Sequence, residues 1–193
     1  MTATGGLFLR TVRALPWLIA GAAALYAMQV TRPDYARMTA AARTEVAAGA
    51  TGIGPAFQAG IGQAFQTKTL RWTGPEGEIR RDTAGTWLVL RLTAEARRQP
   101  AALVAVWQGA TGRRYGASRR LIGAPQMLGS TLLQPGLPVE GLLAFELPPD
   151  EIEGGQLVLS GRLAPLMDRA LWFAPLPRPV PQLDAFVLQG ETP

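Results

Sequence analysis

The sequence predicts an all-β domain, an antiparallel sandwich or barrel, carried behind one N-terminal transmembrane helix. Three observations predict it. Ala14–Thr31 is free of charge but bracketed by Arg10 and Arg13 on one side and Arg32, Asp34 and Arg37 on the other. From Gln66 onward, short β-type runs are broken by turn residues at intervals of about ten. Within the clearest run, Thr86–Thr93, Leu88, Leu90 and Leu92 alternate with Trp87, Val89 and Arg91, the period of a strand with one face in a core.

Composition sets the outer limits. The chain has 193 residues, which leaves room for one domain of roughly 110 residues once an anchor and two irregular ends are set aside. It contains no cysteine and no histidine. Disulfides, thiol nucleophiles, imidazole bases and Cys/His metal centres are therefore excluded within the chain, and so are Ser-His-Asp and Cys-His catalysis. The formal charge is +5, and with Arg10 and Arg13 set apart the remainder carries about +3. These charges are scattered and mixed in sign, unlike the clustered basic stripe of a nucleic-acid binder, so no nucleic-acid partner is expected.

Taken in order, residues 1–13 form a short basic N-terminus and 14–31 the anchor. As a helix at 1.5 Å per residue, that segment extends about 27 Å, close to the thickness of a hydrocarbon core. Pro16 falls in its first turn, and Trp17 and Tyr26 lie towards its ends. Arg10 and Arg13 place the N-terminus in the cytoplasm and everything after Thr31 outside it. A second reading stands beside this one: a cleaved secretory signal, with Ala22-Ala23-Ala24 as an A-x-A cleavage site. Either way the remainder is exported. The expected location is thus a bacterial cytoplasmic membrane, N-terminus in, with a periplasmic or extracellular domain.

Residues 32–65 read as a stalk. An alanine-rich helix is expected from Asp34 to about Ala48, followed by a glycine-rich hinge through Gly49, Gly52, Gly54, Gly60 and Gly62. Phe57, Ile61 and Phe65, spaced by four, suggest a docked helical turn. The domain proper is expected at 66–174. Its strands are Thr67–Trp72, a short edge segment at Glu78–Arg81, Thr86–Thr93, Ala102–Gln108, Arg113–Ser118, Val139–Leu147, Gln156–Leu163 and Ala170–Ala174. Trp87 and Val89 are expected to cover a second apolar face beneath a loop. Gly109-Ala110-Thr111-Gly112 reads as a hairpin turn into a charged edge strand. Residues 175–193 form a proline-rich tail, extended by Pro175, Pro177, Pro179 and Pro181.

Gly112 to Tyr115, then Pro135-Gly136, then Phe145 to Pro148 make a pattern of Gly-Arg-x-Tyr, Pro-Gly and aromatic-x-Leu-Pro. Over about Gln66 to Phe173 this resembles the bacterial membrane-anchored domains of unknown function grouped as DUF4352. The resemblance implies an immunoglobulin-like antiparallel β-sandwich displayed outside the membrane and implies no catalytic residues. The chain departs from the pattern in lacking a lipid-modified cysteine.

No constellation for chemistry stands out, so no catalytic residue, cofactor or metal is expected. Asp150, Glu151 and Glu153 form the densest acidic cluster, read as a solvated turn because their spacing matches no cation-binding loop. The tryptophans at 72, 87, 107 and 172 fall in strands and read as core. Candidate partner-binding residues are Arg113, Arg114, Tyr115, Arg119 and Arg120, the densest basic patch, and Phe186, Val187 and Leu188 in the tail. The expected function is a non-enzymatic membrane protein whose sandwich scaffolds or binds another envelope protein. The alternative is a small-ligand or glycan binder using exposed tryptophans.

Overall fold

The computed structural model describes residues 20–30, 42–161 and 169–189. The chain divides into two units, Met1–Thr39 and Ala40–Pro193. In the first, residues 20–30 are helical, and the side chains of Leu25, Tyr26, Met28 and Val30 are exposed. At 1.5 Å per residue this helix is about 16 Å long, against about 30 Å for a hydrocarbon core. No helix among the described residues is long and apolar enough to cross a membrane. Residues 14–19 and 31 of the expected span, with Trp17, lie outside the described residues.

The second unit is a β-sandwich. Its strands are β1 (Ala42–Val46), β2 (Thr51–Ile53), β3 (Phe57–Gly74), β4 (Gly77–Ala96), β5 (Ala101–Ala102), β6 (Val104–Gln108), β7 (Arg114–Gly116), β8 (Leu132–Leu133), β9 (Val139–Leu147), β10 (Gln156–Ser160), β11 (Arg169–Phe173), β12 (Gln182–Leu183) and β13 (Phe186–Val187). One sheet runs β1-β11-β10-β6-β7. The other runs β12-β3-β4-β9, with β2 and β13 also paired to β3, while β5 and β8 form a separate ribbon.

The main core lies between the sheets. Leu88, Leu90 and Leu92 of β4 and Leu143 and Phe145 of β9 meet Trp107, Leu157, Leu159, Leu171 and Phe173 from the other sheet. Each such side chain stabilises the fold by about 1.5–3 kcal/mol through burial. The opposite face of β4 is also covered. Trp87 and Val89 join Leu70, Trp72, Leu121, Phe186 and Leu188 in a second core, as the alternation in Thr86–Thr93 predicts.

The expected stalk is part of the sandwich, and this is the main correction to the sequence reading. Residues 42–46, expected to be helical, pair in parallel with β11, and Val46 is buried. Alanine favours helix, but the strand ladder and the burial of Val46 outweigh that small preference. Residues 32–41 lie outside the described residues. Of the supposed glycine hinge, Gly52 lies in β2 and Gly60 and Gly62 in β3, while Gly49 and Gly54 lie in the connections between strands. Gly52 is required by close approach, since a Cβ there would stand 2.7 Å from a Val46 methyl and 3.1 Å from Leu171. Spacing by four fits period two as well as 3.6, and β3 realises the former: Phe57 and Ala59 are both buried in the main core.

β3 and β4 form one long hairpin with two irregularities, between Ile61 and Gln63 and between Thr67 and Thr69. The second leaves Lys68 out of register, with its ammonium donating to the Gly85 carbonyl. The same irregularity leaves Thr83–Thr86 of β4 without partners on β3, yet β4 continues through them where the sequence suggests two separate strands. The tail is structured too. Leu176 and Val180 enter the main core, and β12 and β13 run parallel to β3 at Gln66–Thr67 and Leu70–Arg71.

Candidate functional site

Four of the eight predicted partner-binding residues lie on β7 and the 3₁₀ turn Arg119–Leu121, with Arg113 immediately before β7, and β7 is the sheet edge that the sequence predicts. Arg113, Arg114 and Arg119 are exposed. Arg120 is engaged within the fold. Its Nη1 donates to Glu146 Oε1 at 2.7 Å and its Nη2 to the Asp82 carbonyl at 3.1 Å, and its guanidinium lies 5.5 Å from the Trp87 ring centre. Half-exposed as it is, the ion pair contributes under about 1 kcal/mol. Burial alone would raise the Glu146 carboxyl, but hydrogen bonds from Thr83 and Arg120 and the charge of Arg120 outweigh it and hold the group below the usual glutamate range.

Tyr115 is turned inward as well, its hydroxyl donating to Glu151 Oε1 at 3.3 Å. Glu151 overturns the reading of 150–153 as a solvated turn, because it is only 1% exposed. The 3₁₀ turn Pro149–Glu151 points it under the 109–112 turn, where it accepts from the Thr111 N–H at 3.1 Å and the Thr111 hydroxyl at 2.5 Å. Those two hydrogen bonds, then Tyr115 and the charge of Arg113, hold its carboxyl below the ordinary value despite burial. Asp82 is likewise lowered, first by the Thr69 hydroxyl and then by Arg80. No group of three or more metal-ligating side chains occurs among the described residues.

Of the tail residues, Phe186 and Leu188 are buried in the second core and Val187 is 54% exposed. The Leu188 N–H donates to the Arg71 carbonyl at 2.8 Å. Phe186 and Leu188 therefore close this fold and present no surface to a partner. Among the described residues the tryptophans do not form an exposed platform either. Trp72, Trp87 and Trp107 are buried, and Trp172 is half-buried with the Arg43 guanidinium 4.0 Å from its ring centre.

The feature that sequence reasoning missed is an apolar groove of about 430 Å³ at the seam between the two sheets. One wall is the outer edge of β3 from Ile61 to Phe65. The other is the β1–β2 turn at 47–50 and the segment Phe173–Pro181 that leads into the tail. Among the described residues no lining side chain is charged. The proline run supplies much of the second wall, because alternating proline holds that segment extended along the seam. A second cavity, of about 410 Å³, lies beneath the 117–130 loop, but Arg119 borders it.

No protein-family model matches the sequence, and no curated protein matches it. Among solved structures the chain is similar to an uncharacterized beta-sandwich protein from Clostridium difficile 630, at 10% identity over 69% of this chain and 95% of that one, with a TM-score of 0.45. It is also similar to the yjhA protein from Bacillus subtilis, at 16% identity over 65% of this chain and 97% of that one, with a TM-score of 0.45.

Proposed function

We propose that the chain is a non-enzymatic, single-pass membrane protein whose immunoglobulin-like sandwich, of the DUF4352-like type, lies outside the cytoplasm and binds another envelope protein. The observation that carries this reading is the uncharged groove at the sheet seam, a concave apolar surface of the size that ligand-binding clefts have. Two further features support it. The apolar side chains of helix 20–30 are exposed and need a covering that lipid supplies. Among the described residues, the three carboxylates with shifted titration are all lowered and all tied into hydrogen bonds that hold the fold, whereas a general acid or base is tuned towards neutrality.

Cell fractionation and protease treatment of spheroplasts test the placement. The full chain is expected in the carbonate-resistant membrane pellet, with residues 42–189 digested from outside. Recovery in the soluble fraction, or protection in spheroplasts, would refute it. Capture from detergent-solubilised membranes tests the binding surface. Ala48→Glu, which puts a charge on the exposed rim of the groove, is expected to lose a partner that Arg113→Ala/Arg114→Ala retains, and the reverse pattern would move the site to β7.

A further inference from the structure

We infer that the groove takes an uncharged, extended peptide segment of the partner protein, which adds as a short strand to the outer edge of β3 between Ile61 and Phe65. The inference rests on the binding role proposed above and specifies its mode.

The outer edge of β3 is occupied on both sides of this stretch. β2 pairs with it at Gln58–Gly60, and β12 begins at Gln66. Between them, residues 61–65 have no strand partner on that side among the described residues. The gap is about 17 Å long at 3.3–3.4 Å per residue, the length of one short strand.

Backbone direction within the gap follows from its flanks, because alternate residues of a strand present their N–H and C=O to the same side. The Gln66 N–H donates to the Pro181 carbonyl at 2.9 Å, so Gln66 faces this edge and Ala64 does too. The Phe57 carbonyl accepts from the Gly54 N–H at 2.9 Å on the same edge, so Ala59 and Ile61 follow it. The irregularity between Ile61 and Gln63 reconciles the two series. Ile61 and Ala64 thus aim unpaired backbone groups into the groove.

The occupant's chemistry follows from the walls. An exposed edge is ordinarily blunted by charge, lysine or a covering segment. Here Ile61, Gly62, Gln63, Ala64 and Phe65 carry no charge, and the prolines opposite offer carbonyls but no N–H groups. A charged segment would be desolvated without a counter-charge, whereas an uncharged strand finds donors and acceptors at Ile61 and Ala64 and apolar contact at Phe65, Leu176 and Val180. The chain itself already uses this mode, since its own β12 and β13 add to the same edge of β3.

The experiment presents a library of random seven-residue peptides to the full chain in detergent micelles and measures the selected sequences by titration and amide hydrogen exchange. Uncharged sequences are expected to be enriched, and their binding should slow exchange at Ile61 and Ala64. Ala64→Pro deletes an edge-facing N–H without touching the β3–β4 ladder, and is expected to weaken binding at least tenfold with the melting temperature held within a few degrees. N-methylation of the central peptide amide should act likewise. Selected peptides that bind wild type and Ala64→Pro equally, with no protection at 61 or 64, would overturn the edge mode while leaving a peptide-binding module. Displacement of every selected peptide by dodecanoate, with chemical-shift changes confined to Phe65, Leu176 and Val180, would make the groove a lipid site and overturn the inference. Failure of both the library and the membrane capture to yield any binder that Ala48→Glu loses would remove the underlying binding role as well.

Discussion

Glu151 is joined to Thr111 through two hydrogen bonds at once, from the backbone N–H at 3.1 Å and from the hydroxyl at 2.5 Å, so a buried carboxylate fastens the turn that precedes β7. A Cβ at Gly109 would stand 2.1 Å from Glu151 Oε2, so glycine is what admits the carboxylate beneath the turn. The same residue's carbonyl accepts from Trp107 Nε1 at 2.9 Å, which ties the turn to the centre of the main core.

This arrangement makes stability depend on pH in a definite direction. The Glu151 carboxyl titrates below the ordinary glutamate value of 4.5 in the folded state. The unfolded chain therefore binds the proton first as the solution is acidified. The contribution of Glu151 is fully present above the ordinary value and is lost as pH falls through the lowered folded one. Asp82 and Glu146 act in the same sense. Urea midpoints measured between pH 7 and pH 3 should fall with acidification, and Glu151→Gln should be less stable at pH 7 and show a shallower fall. An equally steep fall in the variant would mean that Glu151 does not contribute.

Gly155 lies flat against Trp107. A Cβ at that position would stand 2.6–2.7 Å from three atoms of the indole ring, which is fully buried and has no room to retreat. Gly155→Ala should therefore destabilise the domain by about 1–3 kcal/mol through overpacking. A lower urea midpoint with an unchanged slope would show it. A midpoint equal to wild type would mean that the Gly154–Gly155 turn can shift away from the ring.

Phe186 tests the role given to the tail. Its ring centre is 5.5 Å from that of Phe65, and it closes the second core beside Leu70. Phe186→Ala should cost about 3 kcal/mol, while Val187→Ala at the neighbouring exposed position should cost under about 0.5 kcal/mol. Equal and small effects at both positions would mean that the tail is an appendage, as its proline content first suggests.

The strands from Thr86 to Phe173 are legible in the sequence as short apolar, β-rich runs bounded by turn residues, even where β4 and β9 are buried on both faces, and Val139–Leu147 matches its predicted bounds. The segment 42–65 is not legible, since alanine and glycine carry no alternation of size or polarity from which a strand could be read. Gly52 is explained by Val46, Leu171 and Phe173, residues that lie in different strands from it. Glu151 is misread for a related reason. Its neighbours Asp150 and Glu153 are exposed, and nothing local distinguishes the one carboxylate that Thr111 and Tyr115 require. The groove is invisible to sequence reasoning because its walls come from three separate segments, and its defining property, a missing strand between β2 and β12, belongs to the topology.

Trp172 offers a final check on which surfaces are open. It stands on the outer face of β11 beside Val158, covered by Arg43, which also ion-pairs with Glu45 and donates to Gln156 at 3.4 Å. A cation lying over a half-exposed ring contributes about 0.5–1 kcal/mol, so Arg43→Ala should leave the fold nearly as stable but uncover the indole. In a Trp17→Phe background, acrylamide quenching should be weak for the parent, with three indoles buried and one covered, and should rise in Arg43→Ala together with a red shift in emission. A glycan panel should produce no saturable change in the parent's emission. A saturable change that Arg43→Ala strengthens would show instead that Trp172 is a sugar platform held shut by Arg43.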